Sequence, residues 1–208
     1  MSTGGKKIAV IGAGPAGYTA AQDLSKNGYT VDIYDKEDRL GGAIYTGIPE
    51  YRMSKIFLDK VFASMKEDKN ITFHFKTKID CERFESLRKN YDKVLVATGA
   101  QIENTYGFEP GNGLYAGLTL LYDLNIRGNH EYYKKYKKAM VWGGGNVAMD
   151  CARSLVRIID DVSVVYRRSE EEITANKSEI RDARNENVKF NFLCNVKRVL
   201  RDDSGAVT

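Results

Sequence analysis

Two short glycine-rich strings carry the chemistry most readily read from this chain. The first is Gly12-Ala-Gly14-Pro-Ala-Gly17, entered from the apolar run Ile8–Ile11; the second is Gly143-Gly-Gly145-Asn-Val-Ala148, entered from Ala139–Trp142. In a turn of this type the first glycine permits a tight bend, and the second lets main chain approach a pyrophosphate. The third small residue lets helix and strand pack closely while the helix N-terminus faces the anion. The two strings differ in the charge that comes after them. Beyond the first, the next apolar run closes on Asp35, and a carboxylate there accepts hydrogen bonds from ribose hydroxyls. Beyond the second, the same place is held by Tyr166-Arg167-Arg168, and arginine suits an added ribose 2′-phosphate. The pair predicts two dinucleotide sites, one for a plain adenosine ribose and one for a phosphorylated ribose.

Each string sits where a strand gives way to a helix, the context that gives such a motif meaning. Tyr18, Ala21 and Leu24 recur at helical spacing until Gly28, and Thr30–Asp35 then alternates as a strand. Val147, Cys151, Leu155 and Ile158 repeat that pattern before a strand at 162–166. Around these units the spacing predicts a strand at 8–11, a helix at 15–27, a loop over 36–53 and an amphipathic helix through Phe57–Met65. A strand at 71–75, a short helix carrying Phe84 and Leu87, and a buried strand at Val94–Ala97 come next. Residues 101–116 read as a glycine-rich loop, 117–138 as a helix with a basic connector, and 176–186 as a charged helix. Strands are expected at 188–193 and 195–201, and Asp202–Gly205 is a hairpin-turn signal. The expected fold class is α/β, with two Rossmann-like three-layer units at 1–118 and 119–208. The sequence reads as ending inside a hairpin, so the second unit is expected to be C-terminally incomplete.

Composition narrows the class. The 208 residues are 42% hydrophobic and 29% charged, with a formal net charge of +4, as in a globular protein that can bury a core. No apolar stretch approaches the roughly 20 residues that span a bilayer, and the opening Met1–Lys7 reads as a short flexible leader rather than a signal peptide. The basic, aromatic run Tyr132–Lys138 is expected to be a solvated connector, not a nucleic-acid contact. Cys81, Cys151 and Cys194 form no Cys-x-x-Cys pair, which points to a reducing cytoplasm with free, mostly buried thiols. Neither His74 nor His130 joins a nucleophile or metal constellation, and Asp150 and Glu170–Glu172 read as helix and loop charges. No catalytic side chain and no metal ligand is expected.

Longer strings make the reading more specific. Val10–Gly17, Leu40-Gly-Gly42 with Gly47-Ile-Pro-Glu-Tyr-Arg52, Ala97–Ala100, and Gly143–Asp150 with Tyr166–Ser169 closely resemble the two-dinucleotide flavoprotein oxidoreductases. Within them the likeness is to the small subunit of NADPH-dependent glutamate synthase and its relatives, and it runs from about residue 7 to the end. The resemblance implies FAD in the first unit, with Gly12, Ala13, Gly14, Pro15 and Ala16 at its pyrophosphate and Asp35 at its ribose. Gly41, Gly42, Ile48 and Arg52 would line the path toward the flavin, and Thr98, Gly99 and Ala100 would close over it. It implies NADPH in the second unit, with Gly143, Gly145, Asn146 and Val147 at the pyrophosphate and Arg167 and Arg168 at the 2′-phosphate.

By the same resemblance the nicotinamide passes a hydride to the flavin, and electrons leave toward iron–sulfur clusters in a partner. The absence of a dithiol pair argues against a thioredoxin- or glutathione-type disulfide reductase. Three departures accompany the likeness: the cysteine-rich segment that precedes the FAD strand in many members, the later Gly-Asp that contacts the flavin's ribityl chain, and the last strands of the NADPH unit. The chain is therefore expected to be an N-terminal piece, covering its open surface by self-association or by a missing C-terminal polypeptide, and possessing no complete hydride-transfer site of its own. Two other readings stay open: a non-catalytic nucleotide-binding or assembly subunit, and a dehydrogenase using one fingerprint.

Overall fold

The computed structural model describes residues 5–100 and 102–208; the first four residues of the expected leader, and Gln101, lie outside them. Two compact units are present, Met1–Gln101 and Ile102–Thr208.

The first unit runs β1 (Lys7–Ile11), α1 (Pro15–Lys26), β2 (Thr30–Tyr34), α2 (Ala43–Thr46), α3 (Lys55–Met65), β3 (Ile71–His74), α4 (Cys81–Asn90) and β4 (Lys93–Val96). Its strands pair in parallel in the order β3-β2-β1-β4. Local signals set the helices. Pro15 opens α1, where a missing N–H costs nothing, and Gly28 follows its end at φ +82°. The Ser54 side chain accepts the Phe57 N–H at the start of α3, and Asp80 accepts that of Arg83 at the start of α4. Val10, Val31 and Ile33 are fully buried, while Ala9 and Ile11 pack on the other face with Leu87 of α4. Burial on both faces is why β1 reads as a nearly unbroken apolar run.

The second unit runs α5 (Gly117–Asn125), α6 (His130–Tyr133), β5 (Lys138–Trp142), α7 (Asn146–Leu155), β6 (Asp161–Val165), α8 (Lys177–Asn185) and β7 (Lys189–Asn191). Its strands are also parallel, in the order β5-β6-β7. Leu121, Met149, Val162 and Val164 centre its core. Arg153 of α7 is buried, but its guanidinium donates to Glu179 and Glu186, so the charge is paired.

Five expectations change. The units divide at 101/102, not 118/119, because 102–118 is tied to the second unit: the Glu103 carboxylate accepts the main-chain N–H of Leu118 and Thr119, capping α5. β4 is an edge strand, with Val96 58% exposed, so the buried strand read at 94–97 is half open. The helix and basic connector read over 117–138 contain two helices, parted by Gly128 at φ +66°. Residues 195–200 form no ladder among the described residues; the Asp202–Gly205 turn does form, with a single bridge between Arg201 and Val207. Cys81 and Cys194 are exposed, and Cys151 alone of the three is buried.

Candidate nucleotide-binding sites

In the first turn the three glycines have separate duties. Gly12 lies at φ +109°, donates its N–H to the Tyr34 carbonyl at 2.8 Å, and would place a Cβ 2.2 Å from the Ala97 carbonyl oxygen. A Cβ on Gly17 would stand 1.8 Å from the Gly12 carbonyl oxygen. Both positions are closed by the fold itself. Gly14, the N-cap of α1, is not: a Cβ there meets nothing nearer than the Gly42 Cα at 3.8 Å. The space beside Gly14 is open, and exposed Pro15 and Ala16 begin the helix behind it. Open space at a helix N-terminus is a setting in which anions are commonly bound.

Asp35 follows β2 and reaches back to this turn. One carboxylate oxygen accepts the N–H of buried Ala13 at 2.6 Å, and the other accepts the N–H of Glu37 at 2.8 Å. Gly41 donates its N–H to the Ala13 carbonyl at 2.9 Å, and a Cβ on Gly42 would stand 2.9 Å from the Gly14 Cα. The structure thus brings Gly12, Ala13, Gly14, Asp35, Gly41 and Gly42 together. Ile48 and Arg52 are half-buried in the α2–α3 loop and join the turn through α2. Thr98, Gly99 and Ala100 are exposed after β4, with the Thr98 Cα 3.2 Å from where a Gly12 Cβ would lie.

Lys55, which no motif in the sequence singles out, fixes that loop. Its ammonium donates to the carbonyls of Tyr45 and Ile48, both at 2.6 Å, and its N–H is accepted by the Glu50 carboxylate. Burial pushes the Lys55 pKa below the usual lysine range.

The second turn repeats the geometry. Gly143, at φ +147°, donates its N–H to the Val165 carbonyl at 3.0 Å, as Gly12 does to Tyr34. Gly145 is the N-cap of α7, and a Cβ there meets only the Thr174 Oγ1 at 3.8 Å, an open position like Gly14. Asn146 opens the helix and accepts the Asn176 N–H through its side chain at 2.9 Å; Val147 beside it is exposed.

Gly144 is the position that motif spacing misses. Its carbonyl accepts the N–H groups of Thr174 and Ala175 and the Thr174 hydroxyl, at 3.1, 2.9 and 3.1 Å. A Cβ on it would lie 2.5 Å from the Tyr166 ring. The available signal was a third glycine where the motif needs two.

Arg167 and Arg168 follow Tyr166, exposed, in a cleft of about 1560 Å³ that Gly143–Gly145 also line. Leu193 and Cys194 donate their N–H groups to the carbonyls of Arg168 and Tyr166, which holds the main chain here. The nearby carboxylates are engaged elsewhere: Glu170 pairs with Arg184 at 2.7 Å, and Glu172 accepts the Ser169 N–H and hydroxyl. The Cys151 thiol is buried beside the Gly117 carbonyl, and burial, with Asp150 and Glu103 adding, raises its pKa well above the ordinary value.

A further polar centre lies in the first sheet. Asp32 is buried, and its carboxylate receives the Lys7 ammonium at 2.7 Å, the Tyr91 hydroxyl at 2.6 Å and the His74 ring at 3.0 Å. Burial alone would raise its pKa, but these partners outweigh that and hold it below the usual carboxylate range.

The family model for pyridine nucleotide-disulphide oxidoreductases matches residues 6–208. The chain belongs to this family. Among curated members, this chain is 38% identical over 199 residues to the NADP(+)-dependent formate dehydrogenase subunit beta of Moorella thermoacetica, covering 93% of the chain and 28% of that relative. It is 32% identical over 203 residues to the glutamate synthase [NADPH] small chain of Escherichia coli, covering 90% of the chain and 42% of that relative. The chain thus spans less than half the length of either. Among solved structures it is similar to Mycobacterium tuberculosis FprA in complex with NADPH, with a TM-score of 0.79 at 19% identity, over 98% of the chain and 66% of FprA. That likeness is one of fold. No helix among the described residues is long and apolar enough to cross a membrane.

Proposed function

We propose that the first unit binds FAD, that the second binds NADPH, and that a protein containing this chain passes electrons from NADPH through FAD to an iron–sulfur partner. The observation that carries the reading is the opposite charge set behind two like turns. Asp35 stands behind Gly12–Gly14, whereas exposed Arg167 and Arg168 stand behind Gly143–Gly145. In the first unit the N-terminus of α1 and the open face of Gly14 receive the pyrophosphate, and Asp35 accepts ribose hydroxyls while repelling a 2′-phosphate. In the second, Gly145 and α7 receive the pyrophosphate, and the two guanidiniums make charge-assisted hydrogen bonds to the 2′-phosphate.

A flavin bound there supplies the hydride and electron chemistry; the chain supplies orientation and charge. Relatives named as NADPH-linked subunits, including the NADPH-Fe(3+) oxidoreductase subunit beta of Geobacter sulfurreducens, support the nucleotide choice, and the three free thiols fit the cytoplasm. The test is calorimetric titration of the chain with NADPH, NADH and FAD. Saturable binding of FAD, with NADPH at least about tenfold tighter than NADH, is the expected result. Equal affinity for the two nicotinamide nucleotides, or no uptake of FAD, overturns the assignment.

A further inference from the structure

Trp142 is the one tryptophan of the chain, and it ends β5 as the residue immediately before Gly143. Its indole N–H donates to the Asn195 side-chain carbonyl at 3.0 Å, which fixes the plane of the ring. Tyr106 packs beside it with centroids 4.9 Å apart and an interplanar angle of 46°, and Phe108 meets it edge-on at 5.6 Å and 70°. Tyr106 is 67% exposed, and its main chain is held at φ +52°, a conformation that side chains rarely adopt. All three rings line the cleft that holds Gly143–Gly145 and the arginine pair.

We infer that Trp142, flanked by Tyr106 and Phe108, is the bed for the nicotinamide ring of the bound dinucleotide; the inference rests on the NADPH reading above. The direction comes from topology. β6 lies on one side of β5 and leads directly to Arg167 and Arg168, so the adenosine half of a dinucleotide anchored at the glycine turn goes to the β6 side. The other half leaves the turn the opposite way, over β5, whose last side chain is Trp142. The chemistry matches. A flat indole face takes a flat heteroaromatic ring by offset stacking, and the oxidised, cationic nicotinamide is drawn to it further by the ring quadrupole. The committed indole N–H leaves the ring face as the group that the ligand meets.

A single tryptophan makes this directly measurable. The wild-type chain is titrated with NADP+ and with 2′,5′-ADP, which keeps the phosphorylated adenosine and lacks the nicotinamide. Tryptophan emission is excited where tyrosine does not absorb, and binding is followed in parallel by calorimetry. NADP+ is expected to quench most of the Trp142 emission, while 2′,5′-ADP binds and leaves it unchanged. Trp142→Leu is expected to weaken NADP+ about fivefold and leave 2′,5′-ADP unaffected, with Trp142→Phe restoring most of the loss. If both ligands bind and NADP+ leaves the emission unchanged, or 2′,5′-ADP quenches equally, the nicotinamide bed is wrong and the NADPH reading stands. If neither ligand binds, the NADPH reading fails and this inference falls with it.

Discussion

The Asp35 carboxylate accepts the main-chain N–H of Ala13 at 2.6 Å, joining the end of the second strand to the middle of the first glycine turn. With the second oxygen on the Glu37 N–H, the acid shapes the turn as well as facing the space where a ribose would lie. Asp35→Ala leaves two main-chain donors without their charged acceptor. It should cost the first unit about 2 kcal/mol with no cofactor present, measured by urea unfolding. An unchanged midpoint would show that the bond to Ala13 contributes nothing, leaving ribose recognition as the acid's whole role.

Substitution at the glycines separates folding from ligand approach. Gly14→Ala places its Cβ in open space and should lower cofactor-free stability by no more than about 1 kcal/mol, while sharply weakening FAD retention. Gly17→Ala forces a Cβ to within 1.8 Å of the Gly12 carbonyl oxygen and should disrupt the unit itself. Thermal unfolding and bound-flavin absorbance, read on both variants, check the contrast; FAD retained at wild-type stoichiometry by Gly14→Ala or the bulkier Gly14→Val removes the pyrophosphate assignment.

Removing both Arg167 and Arg168 deletes two charge-assisted contacts of about 1.5–3 kcal/mol each. The Arg167→Ala, Arg168→Ala protein should bind NADPH at least tenfold more weakly and NADH almost as before. Equal losses for the two nucleotides would mean that the arginines support the turn instead of reading the phosphate.

Lys55→Met keeps the stem and deletes the donors to Tyr45 and Ile48. Amide hydrogen exchange should speed up across residues 43–54 and stay unchanged in the second unit, and Lys55→Arg should restore part of the protection. Unaltered exchange in the methionine variant would rule out the brace.

Asp32 gives the first unit an acid limit. Its folded pKa is depressed below 3.8, so its contribution is complete above the unfolded value and is lost as pH falls through the folded one. Stability should hold level near neutrality and drop below about pH 4. Asp32→Asn should remove about 2 kcal/mol at pH 7 and flatten the acid limb. A wild-type profile with no slope below pH 4 would contradict the network.

Both glycine turns were legible because everything that defines them is local: a strand, a bend and a helix start within ten residues, and an acid or base one strand later. Gly144 and Asp32 were not, because their partners come from distant chain. Thr174 is 30 positions from Gly144 and Tyr91 is 59 from Asp32, and no periodicity records such pairings. Lys55 was not legible either: its partners are main-chain carbonyls of Tyr45 and Ile48, which residue type and spacing do not mark. The run Val94–Ala97 misled for a related reason: four apolar residues read alike at the centre of a sheet and at its edge, and neighbouring strands decide which. The segment 195–200 has strand composition but joins no ladder among the described residues, and only Arg201 after it forms a bridge; β propensity without a partner strand makes no strand.

The three donors gathered on the Gly144 carbonyl also bear on how quickly the second site fills. A peptide whose carbonyl is held by Thr174 and Ala175 together is fixed before any ligand arrives. If the second unit binds a nucleotide as proposed, capture should then proceed as a single encounter with no slow adjustment after it. In stopped flow, the observed rate should then climb in a straight line with nucleotide concentration.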